Sequence, residues 1–121
     1  KAKSDFILKV EEFLNSEGIS VSKEIKKGKK EYSAIVNVSS GENLREYLCI
    51  AKEKKSISDK ELMKQLQLGQ KKRMPVLFIS SGEVSKKAVE WLDYLGNLVI
   101  YKKMEKESLN SIIILFIHDR S

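Results

Sequence analysis

Tyr47-Leu48-Cys49-Ile50-Ala51-Lys52 is an apolar run closed by a lysine. An unbroken hydrophobic stretch of this length predicts a strand covered on both faces. Side chains alternate along a strand, so Ile50 and Lys52 share one face while Cys49 and Ala51 share the other. A lysine ending a buried strand is harder to explain as surface filler than one in a loop. The residue that would work beside it on the same face is apolar.

Downstream, Ser58-Asp59-Lys60-Glu61 has the spacing of a capping box, in which Ser58 caps the helix and Glu61 reaches back. Leu62, Met63 and Leu66 give that helix its inner face, and Met74-Pro75 breaks any continuation beyond 69–72. Val76-Leu77-Phe78-Ile79 predicts a short buried strand and Gly82 a turn. Val84, Ala88, Trp91, Leu92 and Leu95 predict a helix over 85–95, closed by Gly96-Asn97. Leu98-Val99-Ile100-Tyr101 predicts a fifth strand.

Upstream, Phe6, Ile7, Val10, Phe13 and Leu14 recur at helical spacing over 5–17, between Ser4 as N-cap and Gly18 as stop. Ile19, Val21 and Ile25 have the period of a half-buried strand over 18–25. Tyr32, Ala34, Val36 and Val38 repeat it over 31–39, and the third strand follows over 45–52. The short turns at 26–30 and 39–43 make these three an antiparallel meander. The order is α-β-β-β-α-β-α-β, and its later crossovers require parallel, right-handed connections. In the tail, the β-branching of Ile112-Ile113-Ile114-Leu115-Phe116-Ile117 predicts a sixth strand, while Leu109, Ile112, Ile113, Phe116 and Ile117 also fit a helix.

The 121 residues suit one domain over 1–121, with 105–121 as an extension; the missing initiator Met is consistent with a piece of a longer chain. Hydrophobic residues make up 41% and charged residues 33%, a globular balance without an apolar run long enough to cross a bilayer. Cys49 is the single cysteine, which excludes an internal disulfide and a Cys-rich zinc site; a reducing, cytoplasmic setting is the default. The net charge of +6 favours acidic partners, nucleic acid before membrane.

The element order, with Lys52 closing the third strand, resembles the restriction-endonuclease-like fold, whose αβββαβ core is shared by archaeal Holliday-junction resolvases and many repair nucleases. The resemblance covers about 5–101. It rests on the strand 48–52, the Ser58 capping box, Pro75-Val76-Leu77-Phe78-Ile79-Ser80-Ser81-Gly82, and Ser85-Lys86-Lys87-Ala88 at a helix start. It implies an α/β domain with a mixed sheet flanked by helices. In that family an acid on the second strand and an acid-x-Lys on the third hold metal ions against a phosphate. The lysine stabilises charge that develops in the transition state. Here Lys52 takes the lysine position, Ile50 the acid position and Ser33 the second-strand acid position. A hydroxyl and an alkyl group cannot hold magnesium, which prefers carboxylate oxygens.

A displaced motif, Glu53-Lys54-Lys55, also reads acid-x-Lys, with Glu31, Glu42 or Glu12 as further oxygen donors. Lys52, Glu53 and Lys55 are thus the catalytic candidates, and Glu31 and Glu53 the metal candidates. Lys52, Lys54, Lys55, Lys71, Lys72 and Arg73 are the candidates for phosphate contact; Lys26, Lys27, Lys29 and Lys30 read as the solvated tip of a hairpin. His118 stands alone near the terminus, away from the Tyr and Lys that a tRNA-splicing endonuclease would need with it. No Walker or dinucleotide loop is visible. The resulting expectation is a non-catalytic, nuclease-like domain, needing no cofactor, that binds DNA or docks a partner protein. The alternative is a magnesium- or manganese-dependent endonuclease using Glu53 and a displaced acid. A homodimer through a sheet edge or 112–117 is compatible with either.

Overall fold

Ser4 starts the first helix by accepting the backbone N–H of Ile7 at 3.2 Å. This α1 (Asp5–Ser16) buries Phe6, Ile7, Val10 and Leu14 as one stripe. The computed structural model describes residues 4–104. After α1 come β1 (Ser20–Lys27), β2 (Glu31–Ser40) and β3 (Asn43–Lys52), each antiparallel to its predecessor. Then follow the two-residue β4 (Ser56–Ile57), α2 (Asp59–Lys72), β5 (Val76–Ser80), the two-residue β6 (Glu83–Val84), α3 (Lys86–Leu95), a 3-10 turn (Gly96–Leu98) and β7 (Val99–Lys103).

The main sheet runs β1-β2-β3-β5-β7, antiparallel over its first three strands and parallel over β3, β5 and β7. The mixed α/β architecture is the one the sequence implies, with the αβββαβ core followed by one further helix and strand. Alternation along β3 divides its side chains between two cores. Cys49 and Ala51 pack with Tyr32, Ala34 and Val36 under α1. Leu48 and Ile50 pack with Val76, Phe78 and Val99 under α2 and α3. Ile50 and, two residues on, Lys52 therefore lie on the α2 face of β3.

Several expectations are corrected. β1 is exposed along all eight residues instead of half-buried. It is an edge strand, and its register shifts between Val21 and Lys23 and again between Glu24 and Lys26, which breaks the alternation that the sequence suggested. The capping box is half formed: Ser58 accepts from Glu61 N at 3.3 Å, but the Glu61 carboxylate turns away to lysines. The sequence also gave no sign of the small parallel pair β4–β6. It exists because Gly82 has no side chain: a Cβ there would lie 2.8 Å from the Lys54 carbonyl oxygen. Glu83 N–H donates to Lys55 O at 3.1 Å and Ser85 N–H to Ile57 O at 2.9 Å, which pins the segment after β3.

Gly69 marks a second close approach, where a Cβ would fall 2.5 Å from Val76 Cγ2 and 2.7 Å from the Met74 carbonyl oxygen. Alanine gains about 1 kcal/mol of helix propensity over glycine. Overpacking costs about 1–3 kcal/mol, and a backbone carbonyl cannot swing aside. Gly69→Ala is therefore expected to lower the urea midpoint, with a net loss of about 1–2 kcal/mol.

Among the described residues no helix is long and apolar enough to cross a membrane. The strand expected at 112–117, and His118, lie outside the described residues.

Candidate functional site

The antiparallel register of β2 and β3 sets Ser33 opposite Ile50 and Glu31 opposite Lys52. Ile50 is buried at 3% exposure, and the Lys52 side chain emerges at 11% exposure where β3 ends under α2. There Ser58 fixes the first turn of α2 and directs Glu61, the third helical residue, toward the strand end. Gln65 follows one turn later on the same face and is fully buried.

These elements build one ion-pair cluster. Lys52 Nζ lies 3.3 Å from Glu61 Oε2 and 3.8 Å from Glu31 Oε2. Lys54 Nζ reaches Glu61 Oε1 at 2.5 Å, and Gln65 Nε2 donates to Glu61 Oε2 at 2.5 Å. Lys26 Nζ donates to Glu31 Oε1 at 2.8 Å from the exposed edge strand. Three ammonium groups thus enclose two carboxylates. Burial pushes the Glu61 carboxyl up, but the Lys54 bond, the charges of Lys52 and Lys54 and the Gln65 amide together outweigh it. Its pKa lies below the ordinary 4.5. The Lys26 bond holds Glu31 below its ordinary value too, helped against partial burial by Lys52, Lys26 and Lys64. On the opposite face, burial pushes the Cys49 thiol up to about 12, which removes it as a nucleophile.

The donor set does not suit a divalent cation. Among the described residues no group of three or more His, Cys, Asp or Glu side chains is placed to hold a metal. Both Glu61 oxygens already accept from protein donors, so a metal ion would have to displace Lys52 and Lys54. The buried Gln65 Oε1 has no hydrogen-bond partner among the described residues, but a single amide oxygen beside engaged carboxylates falls short of the oxygen shell magnesium requires.

The candidates named from sequence separate into several places. Lys52, Lys54 and Glu31 meet in the cluster. Lys71 and Lys72, in the last turn of α2, line an adjoining groove of about 350 Å³ with Ser33, Ile50, Ile25 and Leu68. Ser33 and Ile50 therefore face one groove with Lys71 and Lys72, which have no ion pair among the described residues. Glu53 faces away, lining a cavity of about 400 Å³ with Ser4, Asp5 and Lys9 on the α1 side. Lys55 is exposed beyond the cluster. Arg73 caps α2 in the left-handed conformation (φ 56°) and borders a separate cavity with Pro75 and Leu98. Glu12 and Glu42 are exposed on α1 and in the β2–β3 turn.

Sequence reasoning missed Glu61 and Gln65 as site residues. Glu61 had been explained by the capping box, yet Glu61 and Gln65 lie at i and i+4, next to Leu62 on the inward side of α2. Two polar residues on a packed helix face are the signal that could have found them.

No family model matches the chain, and no curated protein matches it. Among solved structures, the chain is similar to the DNA modification-dependent restriction endonuclease AspBHI, at 13% identity and a TM-score of 0.44 over 71% of this chain and 23% of that one. It is also similar to the MspJI restriction endonuclease, solved in complex with a 27-mer oligonucleotide, at 15% identity and a TM-score of 0.48 over 78% of this chain and 23% of that one. The chain thus spans under a quarter of the length of either enzyme.

Proposed function

We propose that this restriction-endonuclease-like domain binds DNA through its phosphates and does not cleave it. The observation that carries the reading is the state of Lys52. It is held between Glu31 and Glu61, while the acid position two residues earlier is a buried isoleucine. Protein ammonium groups neutralise the carboxylates where a nuclease would use metal ions.

Binding then falls to the cations that face solvent. Lys55, Lys71, Lys72 and Arg73 are exposed and have no ion pair among the described residues, and Lys54 is 42% exposed at the edge of the cluster. Unpaired lysines and arginine release counterions on meeting phosphate, which gives affinity without sequence preference. Lys52 contributes by holding the strand end and α2 together behind this surface.

Fluorescence anisotropy with a labelled duplex tests the reading. Metal-free binding is expected, with log K falling against log salt at a slope near −4, on the order of 0.9 per contacted phosphate. Lys71→Glu with Lys72→Glu should flatten that slope by about 2 units. If duplex, single-stranded and branched DNA all fail to bind at low salt, the DNA reading is wrong. If magnesium or manganese produces cleavage that vanishes on Lys52→Ala, the domain is a nuclease after all, with Glu53 or another displaced acid as metal ligand.

A further inference from the structure

The charges on α3 run against its own dipole. Lys86 and Lys87 occupy the first turn, which has no acid, and Glu90 and Asp93 follow toward the C-terminal end, where the last turn has no base. The other two helices differ. α1 opens with Asp5, and α2 opens with Asp59 and Glu61 and closes with Lys71 and Lys72. Cations near a helix N-terminus and anions near its C-terminus are unfavourable in isolation. A local rule broken this consistently calls for a compensating partner.

The surface of α3 and the turn after it also carries exposed apolar side chains among its charges. Val89, Tyr94 and Leu98 are 53%, 82% and 56% exposed, so three of the eight large exposed hydrophobic residues among the described residues fall within ten positions. Trp91 meets the ring of Tyr94 edge-on at 5.8 Å and 87°, and with Lys87, Glu90 and Tyr94 it lines a shallow cavity of about 300 Å³. Clustered exposed apolar side chains rimmed by charge mark an interaction surface.

We propose that α3 is the contact helix of a twofold dimer, with α3 of a second copy lying antiparallel across it. A twofold contact places the same patch on both subunits, so it must be self-complementary. Antiparallel pairing meets that condition. Lys86 and Lys87 of one copy face Glu90 and Asp93 of the other, and each helix N-terminus lies beside the other's C-terminus. The charge order that is unfavourable alone becomes favourable in the pair, and the contact covers Trp91 and Tyr94. Lys87 is free to take part, because its contact with Asp59 is long, at 3.8 Å, and its side chain is 70% exposed. The four charges balance locally, so the net charge of +6 on the chain does not oppose this face.

Sedimentation velocity on the 121-residue chain without DNA tests the proposal independently of the DNA reading. The mass is expected to rise with concentration toward twice 13.9 kDa. Tyr94→Glu with Leu98→Glu should keep the chain monomeric with its circular-dichroism spectrum still that of the folded domain, since both side chains are exposed. Lys86→Glu with Lys87→Glu, and separately Glu90→Lys with Asp93→Lys, should each remove self-association. An equimolar mixture of those two variants should restore a dimer. A chain that stays monomeric up to millimolar concentration, a dimer indifferent to the Tyr94 and Leu98 changes, or variants that fail to associate when mixed would each overturn the proposal.

Discussion

Glu61→Ala is expected to cost the domain about 3 kcal/mol, toward the lower end of what removing one partner of a buried ion pair costs. The substitution leaves Lys52, at 11% exposure, with Glu31 as its one carboxylate, and it strips Lys54 and Gln65 of their acceptor. The exposure of Lys54, at 42%, lets water recover part of the loss. Urea denaturation should show the midpoint falling with little change in slope. Glu61→Gln, which retains an acceptor without the charge, should fall between. A double-mutant cycle isolates the pair: Lys52→Met with Glu61→Leu should cost less than the sum of the two single changes, by about 1–3 kcal/mol. Strict additivity would mean that the two residues are not coupled.

The same residue sets part of the acid response. The Glu61 and Glu31 carboxyls are held below 4.5 in the folded state, so the unfolded chain binds protons first as the pH drops past that value. The stability they contribute is fully present above 4.5 and is lost as the pH falls through the lowered folded values. Thermal melts between neutral and acidic pH should show this limb in the wild type and a shallower one in Glu61→Ala.

Ile50→Glu is the second large effect. It removes an apolar side chain packed among Leu48, Ile57, Leu62, Val76 and Phe78, and it sets a carboxylate at a position only 3% exposed. A loss of about 3–4 kcal/mol is expected without metal, from lost packing and a poorly solvated acid. Paired with Ser33→Asp on the facing strand, it returns both acids to one groove beside Lys52. Millimolar manganese should then raise the melting temperature of the double variant, because a ligand that binds only the folded state stabilises it. It should leave the wild type unmoved. If the double variant gains nothing from manganese, Ser33 and Ile50 are not the two halves of an emptied site.

Much of this is legible in the sequence. Tyr47–Lys52 announced a buried strand because apolar continuity and a terminal lysine are local properties. The capping serines at 4, 58 and 85 announced helix starts for the same reason. The partner of Lys52 was not legible. Glu61 is nine residues further along, and the turn that returns it to Lys52 depends on Gly82 admitting the Lys54 backbone, a contact that sequence spacing does not encode. The separation of Glu53 from the cluster follows from alternation alone. Its destination beside α1 needed the helix to be placed. β1 read as half-buried because its period ignored two register shifts that arise from edge-strand twist.

The sheet is divided down its middle strand into two kinds of neighbour, and this bears on how the chain assembles. On one side of β3 the pairing is nearly local, since Ser40 and Asn43 already face each other across the turn. On the other side, Leu48 must find Val76, and Val76 must find Val99, each across a helix. Closing short loops is fast, and distant parallel pairing is slow. The hairpins should therefore form early, leaving the far edge of β3 bare until α2 has folded and brought β5 alongside. The apolar half of β3, buried from Tyr47 to Ala51 in the finished fold, is then open along one edge for a moment in every folding event.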